Sequence, residues 1–228
     1  MFDRVAPRYD FMNHLLSAGQ DRRWRKRAAA ALGDGDQPLR VLDLCAGTGD
    51  QSAAIARRGH RVAAADFSAP MVVRAARKHA RTGDHVAPIV GDALELPYPD
   101  ASFDAVTISF GLRNLADLRR GLAEIRRVLR PGGQLVALEF ALPRRQPIRG
   151  VYLIYLHHLL PLLGRLSPSR GAYRYLRDSV LEFPEREDLT ETMGIAGFRD
   201  AGWKDLSAGT VCLYRACRDG KAVSPVAG

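Results

Sequence analysis

Short apolar runs alternate with helix-like stretches through the first part of the chain, and this alternation constrains the fold more than any other feature. Leu39–Leu44, Arg61–Ala65, Val86–Val90, Phe103–Ser109 and Gln134–Glu139 each have the length of a buried strand. Between them Asp50–Arg58, Ser68–His79 and Leu115–Leu129 read as helices, with Ser68 as an N-cap and Pro131-Gly132-Gly133 turning the chain after the last. Strands spaced by helices in this way form βαβ units and a parallel sheet. Right-handed crossovers put the first strand in the middle of the sheet, and ligands bind beyond the carboxyl ends of the strands, where the strand order reverses.

The flanking segments extend this plan. Asn13–Leu32 reads as a helix with apolar Leu15, Leu16, Trp24 and Ala28 and a basic cluster, Arg22-Arg23-Arg25-Lys26-Arg27. After Ala141 the strand pattern stops: residues 142–183 read as a helical insertion, with the apolar stretch Val151–Leu163 and a helix over Ala172–Leu181. Pro184 suits the first turn of a further helix to about Ala196. Arg199–Leu206 and Thr210–Arg218 form a closing antiparallel pair around Ser207-Ala208-Gly209. The expected architecture is α/β and doubly wound, with a mostly parallel seven-stranded sheet in one domain over residues 1–218. Residues 1–38 act as an N-terminal helical lid, 142–183 as a cap on the ligand cleft, and 219–228 as a disordered tail. No stretch approaches the roughly 20 apolar residues that span a bilayer, and the first residues lack the pattern of a secretory leader. Cys45, Cys212 and Cys217 are too scattered for a disulfide framework or a zinc site, which fits a cytoplasmic location and no metal.

The run Val41-Leu42-Asp43-Leu44-Cys45-Ala46-Gly47-Thr48-Gly49-Asp50 passes from strand through a glycine turn to a helix, and glycines there let backbone approach a ligand. Gly-x-Gly alone is weak, because any tight βα turn carries one. Its sequel is stronger: Asp66 closes the second strand, where an acid accepts hydrogen bonds from ribose hydroxyls, and Gly91-Asp92-Ala93 closes the third, within reach of an adenine amino group. For each acid taken singly, a helix-cap or loop role is the alternative. A dinucleotide-binding turn would read Gly-x-Gly-x-x-Gly, whereas from Gly47 this chain reads Gly-Thr-Gly-Asp-Gln-Ser. Asp50 at the helix start also suits a diphosphate poorly, and is tolerable beside a cationic, phosphate-free nucleoside such as S-adenosylmethionine.

The segments DLCAGTGD (Asp43–Asp50), ADFS around Asp66, GDA at Gly91 and RVLRPGG (Arg127–Gly133) resemble class I S-adenosylmethionine methyltransferases, whose fold is Rossmann-like. YDFMN (Tyr9–Asn13), SFGLRN (Ser109–Asn114) and AYRYLRDSVLEFP (Ala172–Pro184) resemble, more narrowly, the ubiquinone/menaquinone biosynthesis C-methyltransferases. The chain departs from that pattern at Asp21, where a histidine is usual, and at Leu213-Tyr214. The resemblance implies methylation of a ring carbon of a prenylated quinol, such as demethylmenaquinol or a methoxybenzoquinol, with S-adenosyl-L-homocysteine as the other product. It assigns cofactor contacts to Thr48, Asp66, Asp92, Ala93 and Ser109. Asp43, Gly47, Gly49 and Phe67 complete the candidate cofactor set. Candidate substrate contacts are Asn13, Phe110, Arg113 and Tyr173.

Carbon methylation needs an electron-rich ring. Arg113, just past the fourth strand with Asn114, is placed to stabilise a phenolate, directly or through a water; a surface salt bridge is its alternative. Tyr9 and Asp10 are further catalytic candidates on an N-terminal lid, with helix capping as the competing role. Tyr173 and Tyr175 frame a quinone entrance or pack as an amphipathic helix, and His157 and His158 fit packing or an interface better than metal ligation. The net charge of +9 raises a nucleic-acid methyltransferase as a rival. The Asn/Asp-Pro-Pro-aromatic step of base-amine methyltransferases is absent at Ser109-Phe110-Gly111-Leu112, and no RNA-binding signature is present. Methylation of another small aromatic, and non-catalytic binding of a nucleotide or quinone, are the other readings. The basic cluster and Val151–Leu163 suit peripheral contact with the inner face of an anionic membrane; a buried helix or a homodimer face is the alternative for that stretch.

Overall fold

The computed structural model describes residues 17, 19–33, 37–160, 162 and 170–220, with the side chains of residues 170–173 excepted. The chain runs α1 (Asp21–Ala30), β1 (Arg40–Leu44), α2 (Asp50–Ala56), β2 (Arg61–Asp66), α3 (Ala69–Thr82), β3 (Val86–Val90) and β4 (Phe103–Ser109). It continues through a 3₁₀ turn (Leu112–Asn114), α4 (Leu118–Val128), β5 (Leu129–Phe140) and α5 (Ile148–Ile154) into a π-helical turn (Tyr155–Leu159). The last part is α6 (Arg170–Glu182), α7 (Glu187–Ile195), β6 (Phe198–Leu206), a 3₁₀ turn (Ser207–Gly209) and β7 (Val211–Arg218).

The seven strands form one sheet of order β3-β2-β1-β4-β5-β7-β6. The first five are parallel, and β7 and β6 are antiparallel additions at one edge. β1 is central and covered on both faces, so its side chains divide by period two. Val41 points into the core beneath α1 and α2 with Trp24, Ala28 and Ile55. Leu42 and Leu44 point into the opposite core with Leu122, Ile125 and Val128 of α4 and Met193 of α7. The central reversal between β1 and β4 opens the cleft that the alternation predicts.

Several boundaries move for identifiable reasons. α4 begins at Leu118 and not Leu115, because the Asp117 side chain caps it by accepting from Arg120 N at 3.0 Å. Pro131-Gly132-Gly133 lies inside β5, where the register against β4 shifts between Phe103 and Ala105. A Cβ on Gly133 would stand 2.8 Å from Arg130 O and 3.0 Å from Asp104 O, so only glycine lets the strands close there. Ser68 occupies the N-cap position of α3 but makes no side-chain cap; its backbone N–H donates instead to Asp66 Oδ1 at 2.8 Å. α7 starts at Glu187, three residues past Pro184, after a buried Arg186 whose Nη2 donates to Gly209 O and whose Nε donates to Asp205 Oδ1, both at 3.1 Å. Tyr214 belongs to this brace, since its hydroxyl accepts from Arg186 N at 2.8 Å.

Candidate active site

The glycine turn after β1 is held in the shape a ligand needs. Gly47 and Gly49 have φ of 57° and 82°, and a Cβ on Gly49 would stand 2.2 Å from His79 Nε2. Asp66 ties this turn to β2: its Oδ2 accepts from Gly47 N and its Oδ1 from Ser68 N, each at 2.8 Å. Phe67 beside it is 79% exposed, an open aromatic face at the strand end. Asp92 is exposed after β3, with Oδ1 accepting from Leu94 N at 2.9 Å, and Ala93 is buried below it. Thr48 and Ser109 are buried, and Ser109 Oγ has no hydrogen-bond partner among the described residues. A buried hydroxyl without a partner costs free energy that a ligand donor or acceptor would recover. These groups line the ends of β1 to β4 in the order glycines, acid, acid, hydroxyl. Acceptors and an unpartnered hydroxyl at these strand ends fit the donor and acceptor groups of a nucleoside with two ribose hydroxyls and a cationic tail, the chemistry of S-adenosylmethionine.

Asp43 does not belong to this surface. Its carboxylate is fully buried, with Oδ2 accepting from Ser52 Oγ at 2.5 Å and Oδ1 from Thr107 Oγ1 at 2.7 Å. Burial raises its pKa to about 6 against those two bonds. It braces β1 to α2 and β4 beneath the turn, which corrects the expectation of direct cofactor contact. Burial also pushes the Cys45 thiol up to about 12, so it is a neutral packing group and no nucleophile.

Beside the nucleotide groove, a cavity of about 280 Å³ opens at the end of β4. It is lined by Asp21, Trp24 and Arg25 of α1, by Phe110, Arg113 and Phe140 at the strand ends, and by Tyr152, Tyr155, Leu156 and Leu160 of α5 and the π turn. Leu176 and Val180 of α6 close it. Three rings form one wall: Trp24 and Phe110 have centroids 6.0 Å apart, Phe110 and Phe140 4.6 Å apart. Two of the rings carry a guanidinium over their faces, Arg25 at 5.6 Å from the Phe110 centroid and Arg113 at 5.2 Å from that of Phe140. Phe110 holds a φ of 61°, rare for a residue with a side chain and costly by about 1–3 kcal/mol, which turns its ring into the cavity. Gly111 permits this turn, since a Cβ there would stand 2.6 Å from the Cβ of Cys45. Phe110 lines the cavity and adjoins Ser109 at the end of β4, so the cavity lies next to the candidate cofactor residues.

Arg113 is fixed by the fold. Its Nη1 pairs with the buried carboxylate of Glu139 and donates to Phe110 O at 2.8 Å, while its Nε is buried without a hydrogen-bond partner. This is a buried ion pair at the cavity edge and not the surface salt bridge that was the alternative. Asn114 Nδ2 donates to Phe110 O at 3.2 Å and its Oδ1 accepts from Tyr175 Oη at 3.0 Å. These bonds tie the end of β4 to α6, and Asn114 is not among the residues lining the cavity. Arg25 leaves the basic cluster, because it turns inward while Arg22, Arg23, Lys26 and Arg27 are exposed. Tyr9, Asp10 and Asn13 lie outside the described residues, and so does the side chain of Tyr173.

The sequence reading missed Asp21, Arg25, Glu139, Phe140, Tyr152 and Tyr155. An acid inside the apolar strand Leu135-Val136-Ala137-Leu138-Glu139-Phe140 was a usable signal for Glu139. For Asp21 and Arg25 the only hint was their i,i+4 spacing, which places them on one helix face. Asp21 is buried, accepts from Ser17 Oγ at 2.9 Å and stands 3.9 Å from Arg25 Nε. Burial raises the pKa of Tyr152, so its phenol stays neutral at physiological pH.

The sheet order and its antiparallel edge pair set this protein apart from dinucleotide-binding sheets and are those of the class I S-adenosylmethionine-dependent methyltransferase fold. A SAM dependent methyltransferase from Aquifex aeolicus shares the fold, with a TM-score of 0.61 at 18% identity over 85% of this chain and 88% of that one. The profile of the ubiE/COQ5 methyltransferase family matches residues 1–218, and the chain belongs to that family. It is 49% identical over 201 residues to a demethylmenaquinone methyltransferase of Thermus thermophilus, covering 87% of this chain and 91% of that one. It is 42% identical over 219 residues to the ubiquinone/menaquinone biosynthesis C-methyltransferase UbiE of Geobacter sulfurreducens, covering 94% and 85% respectively.

Proposed function

We propose that this enzyme methylates a ring carbon of a prenylated quinol, demethylmenaquinol first among such substrates. The observation that carries the reading is the cavity itself: three mutually tilted aromatic rings with a guanidinium over two of them, an aliphatic end, and a few polar groups, Asp21 among them. A hydroquinone ring packs among these rings with its oxygens toward the cations, and its prenyl tail runs along Leu156, Leu160, Leu176 and Val180. The names of the relatives point the same way.

S-adenosylmethionine, when bound, supplies an electrophilic methyl group on a sulfonium. Thr48, Asp66, Asp92, Ala93 and Ser109 hold it, and Gly47 and Gly49 give it backbone access. Arg113 carries the chemistry on the protein side. Its guanidinium is set before substrate arrives and stabilises the negative charge that develops on the quinol oxygen as the ring carbon attacks. Arginine is a poor base because its pKa lies far above working pH. Asp21, the carboxylate that lines the cavity among the described residues, accepts the hydroxyl proton directly or through a water. The carbon–sulfur bond breaks as the carbon–carbon bond forms, S-adenosylhomocysteine leaves, the ring carbon's own proton passes to water and Asp21 returns the hydroxyl proton to the oxygen, so aromaticity is restored with the net release of one proton.

A prenylated quinol partitions into lipid, so the enzyme meets it at a membrane surface. Among the described residues no helix is long and apolar enough to cross a membrane. Transfer of labelled methyl from S-adenosylmethionine to a short-chain demethylmenaquinol tests the function. Methyl transfer to small catechols or other phenols with no turnover of the quinol would replace the reading with another aromatic substrate. Binding of both ligands without turnover would make the protein a non-catalytic binder.

A further inference from the structure

The helix that walls the cavity has a second apolar face, and among the described residues that face is uncovered. Leu156 and Leu160 are buried against Val180, with Tyr152, Tyr155 and Leu176 packed around them. On the other side, Ile148, Val151, Ile154, Leu159 and Leu162 are 41–65% exposed. An aliphatic stripe of this extent on one 15-residue span, Ile148 to Leu162, is a docking surface and not ordinary surface scatter. Its surroundings are basic. From Phe140 to Arg177 the chain has no Asp or Glu, seven arginines and two histidines. Arg144 pairs with Glu187 and Arg177 with Asp178, but Arg145, Arg149 and Arg174 make no ion pair among the described residues.

We infer that α5 and the π turn form a membrane-docking face, which lies in the interface of an anionic bilayer with Val151 and Ile154 inserted and Arg145, Arg149 and Arg174 at the headgroups. Lipid suits this face better than a second copy of the chain. A two-fold interface presses a patch against itself, which here would bring Arg145 and Arg149, without ion-pair partners among the described residues, against their own copies. Anionic headgroups supply the missing charge, and the acyl region covers the aliphatic stripe. The geometry also gives the docking a purpose. The helix has the bilayer on one side and the cavity on the other, so a prenyl tail reaches the aromatic wall by passing this single helix. The purpose rests on the prenylated-quinol reading; the docking itself does not.

Vesicle flotation of the full chain tests the inference, using phosphatidylcholine alone and phosphatidylcholine mixed with phosphatidylglycerol. The double variant Val151→Ser/Ile154→Ser changes two outward side chains and leaves the cavity lining intact. The wild type is expected to float with the anionic vesicles and not the neutral ones. The double variant should bind at least about tenfold more weakly, from the apolar groups it no longer inserts. The triple variant Arg145→Gln/Arg149→Gln/Arg174→Gln should lose the preference for the anionic lipid. Turnover of a soluble short-chain quinol should be unchanged in the double variant, while turnover of a long-chain quinol in vesicles falls. Equal binding of the double variant and wild type, or no flotation of the wild type at low salt, would overturn the docking face. So would sedimentation showing that the double variant turns a dimer into a monomer, because a second copy would then cover the stripe. Intact flotation without turnover of any quinol would leave the docking standing and remove the substrate reading instead.

Discussion

Replacing Arg113 by lysine isolates the electrostatic part of catalysis. Arg113 Nη1 serves Phe110 O and the Glu139 carboxylate together, and the same planar group borders the cavity. An ammonium on a flexible stem keeps the charge beside Glu139, so the buried carboxylate remains compensated and the fold holds. It cannot reproduce the fork that also faces the substrate oxygen. Losing one prepositioned donor to a developing oxyanion costs about 2.7–4 kcal/mol, or about 10²–10³ in kcat. Arg113→Ala is the less informative change, because it strands a fully buried Glu139 and costs about 3–5 kcal/mol of stability besides. The assay is kcat on a short-chain demethylmenaquinol at saturating S-adenosylmethionine, with cofactor Kd by calorimetry and thermal melting as controls. The expected result for Arg113→Lys is a fall in kcat of about 10²-fold or more, with Kd and Tm close to wild type. A kcat within about threefold of wild type would refute the phenolate role, and a loss confined to Kd would move Arg113 into the nucleotide site.

Asp66→Ala should weaken S-adenosylmethionine binding by about 2–3 kcal/mol, since ribose hydroxyls and two backbone N–H groups lose their acceptor; unchanged calorimetric affinity would remove Asp66 from the site. Asp21→Asn should lower kcat by about 10²-fold or more while leaving cofactor Kd in place, and an effect on KM alone would show that Asp21 only orients the ring. Asp43 gives a pH signature. Its folded pKa of about 6 stands above the ordinary 3.8, so the folded state binds the proton more tightly than the unfolded one. Its favourable contribution is complete below about pH 3.8 and is lost as the pH rises through about 6, a change of about 3 kcal/mol. Denaturant titrations of wild type and Asp43→Asn should therefore differ by a stability gap that changes across that window, and a gap constant from pH 4 to pH 7 would contradict the buried, proton-binding carboxylate.

The strand ends of this protein were legible in the sequence, because their signals are local. Each strand is an apolar run, so the candidate cofactor residues Gly47, Asp66, Asp92 and Ser109 could be placed at or just past strand ends by counting outward from the runs. The closing antiparallel pair and the central place of β1 followed from the same patterning. Asp43 was misplaced because period-two alternation decides which face a strand residue takes, while only the packed sheet shows that this face is sealed by Ser52 and Thr107. The substrate half depended on tertiary structure. Asp21, Phe110, Phe140, Tyr152 and Val180 are far apart in the chain and meet only when α1 and α5 close over the end of β4. Asn114 and Arg113 are neighbours in sequence, yet the 3₁₀ turn sends one to Tyr175 and the other to Glu139. Sequence periodicity records that Val151–Leu163 is apolar, but not which side is covered. The packing of Leu156 and Leu160 onto α6 assigns one face of that helix to the cavity and leaves the other outside, because a helix surrounded on one side only can bury only one of its stripes.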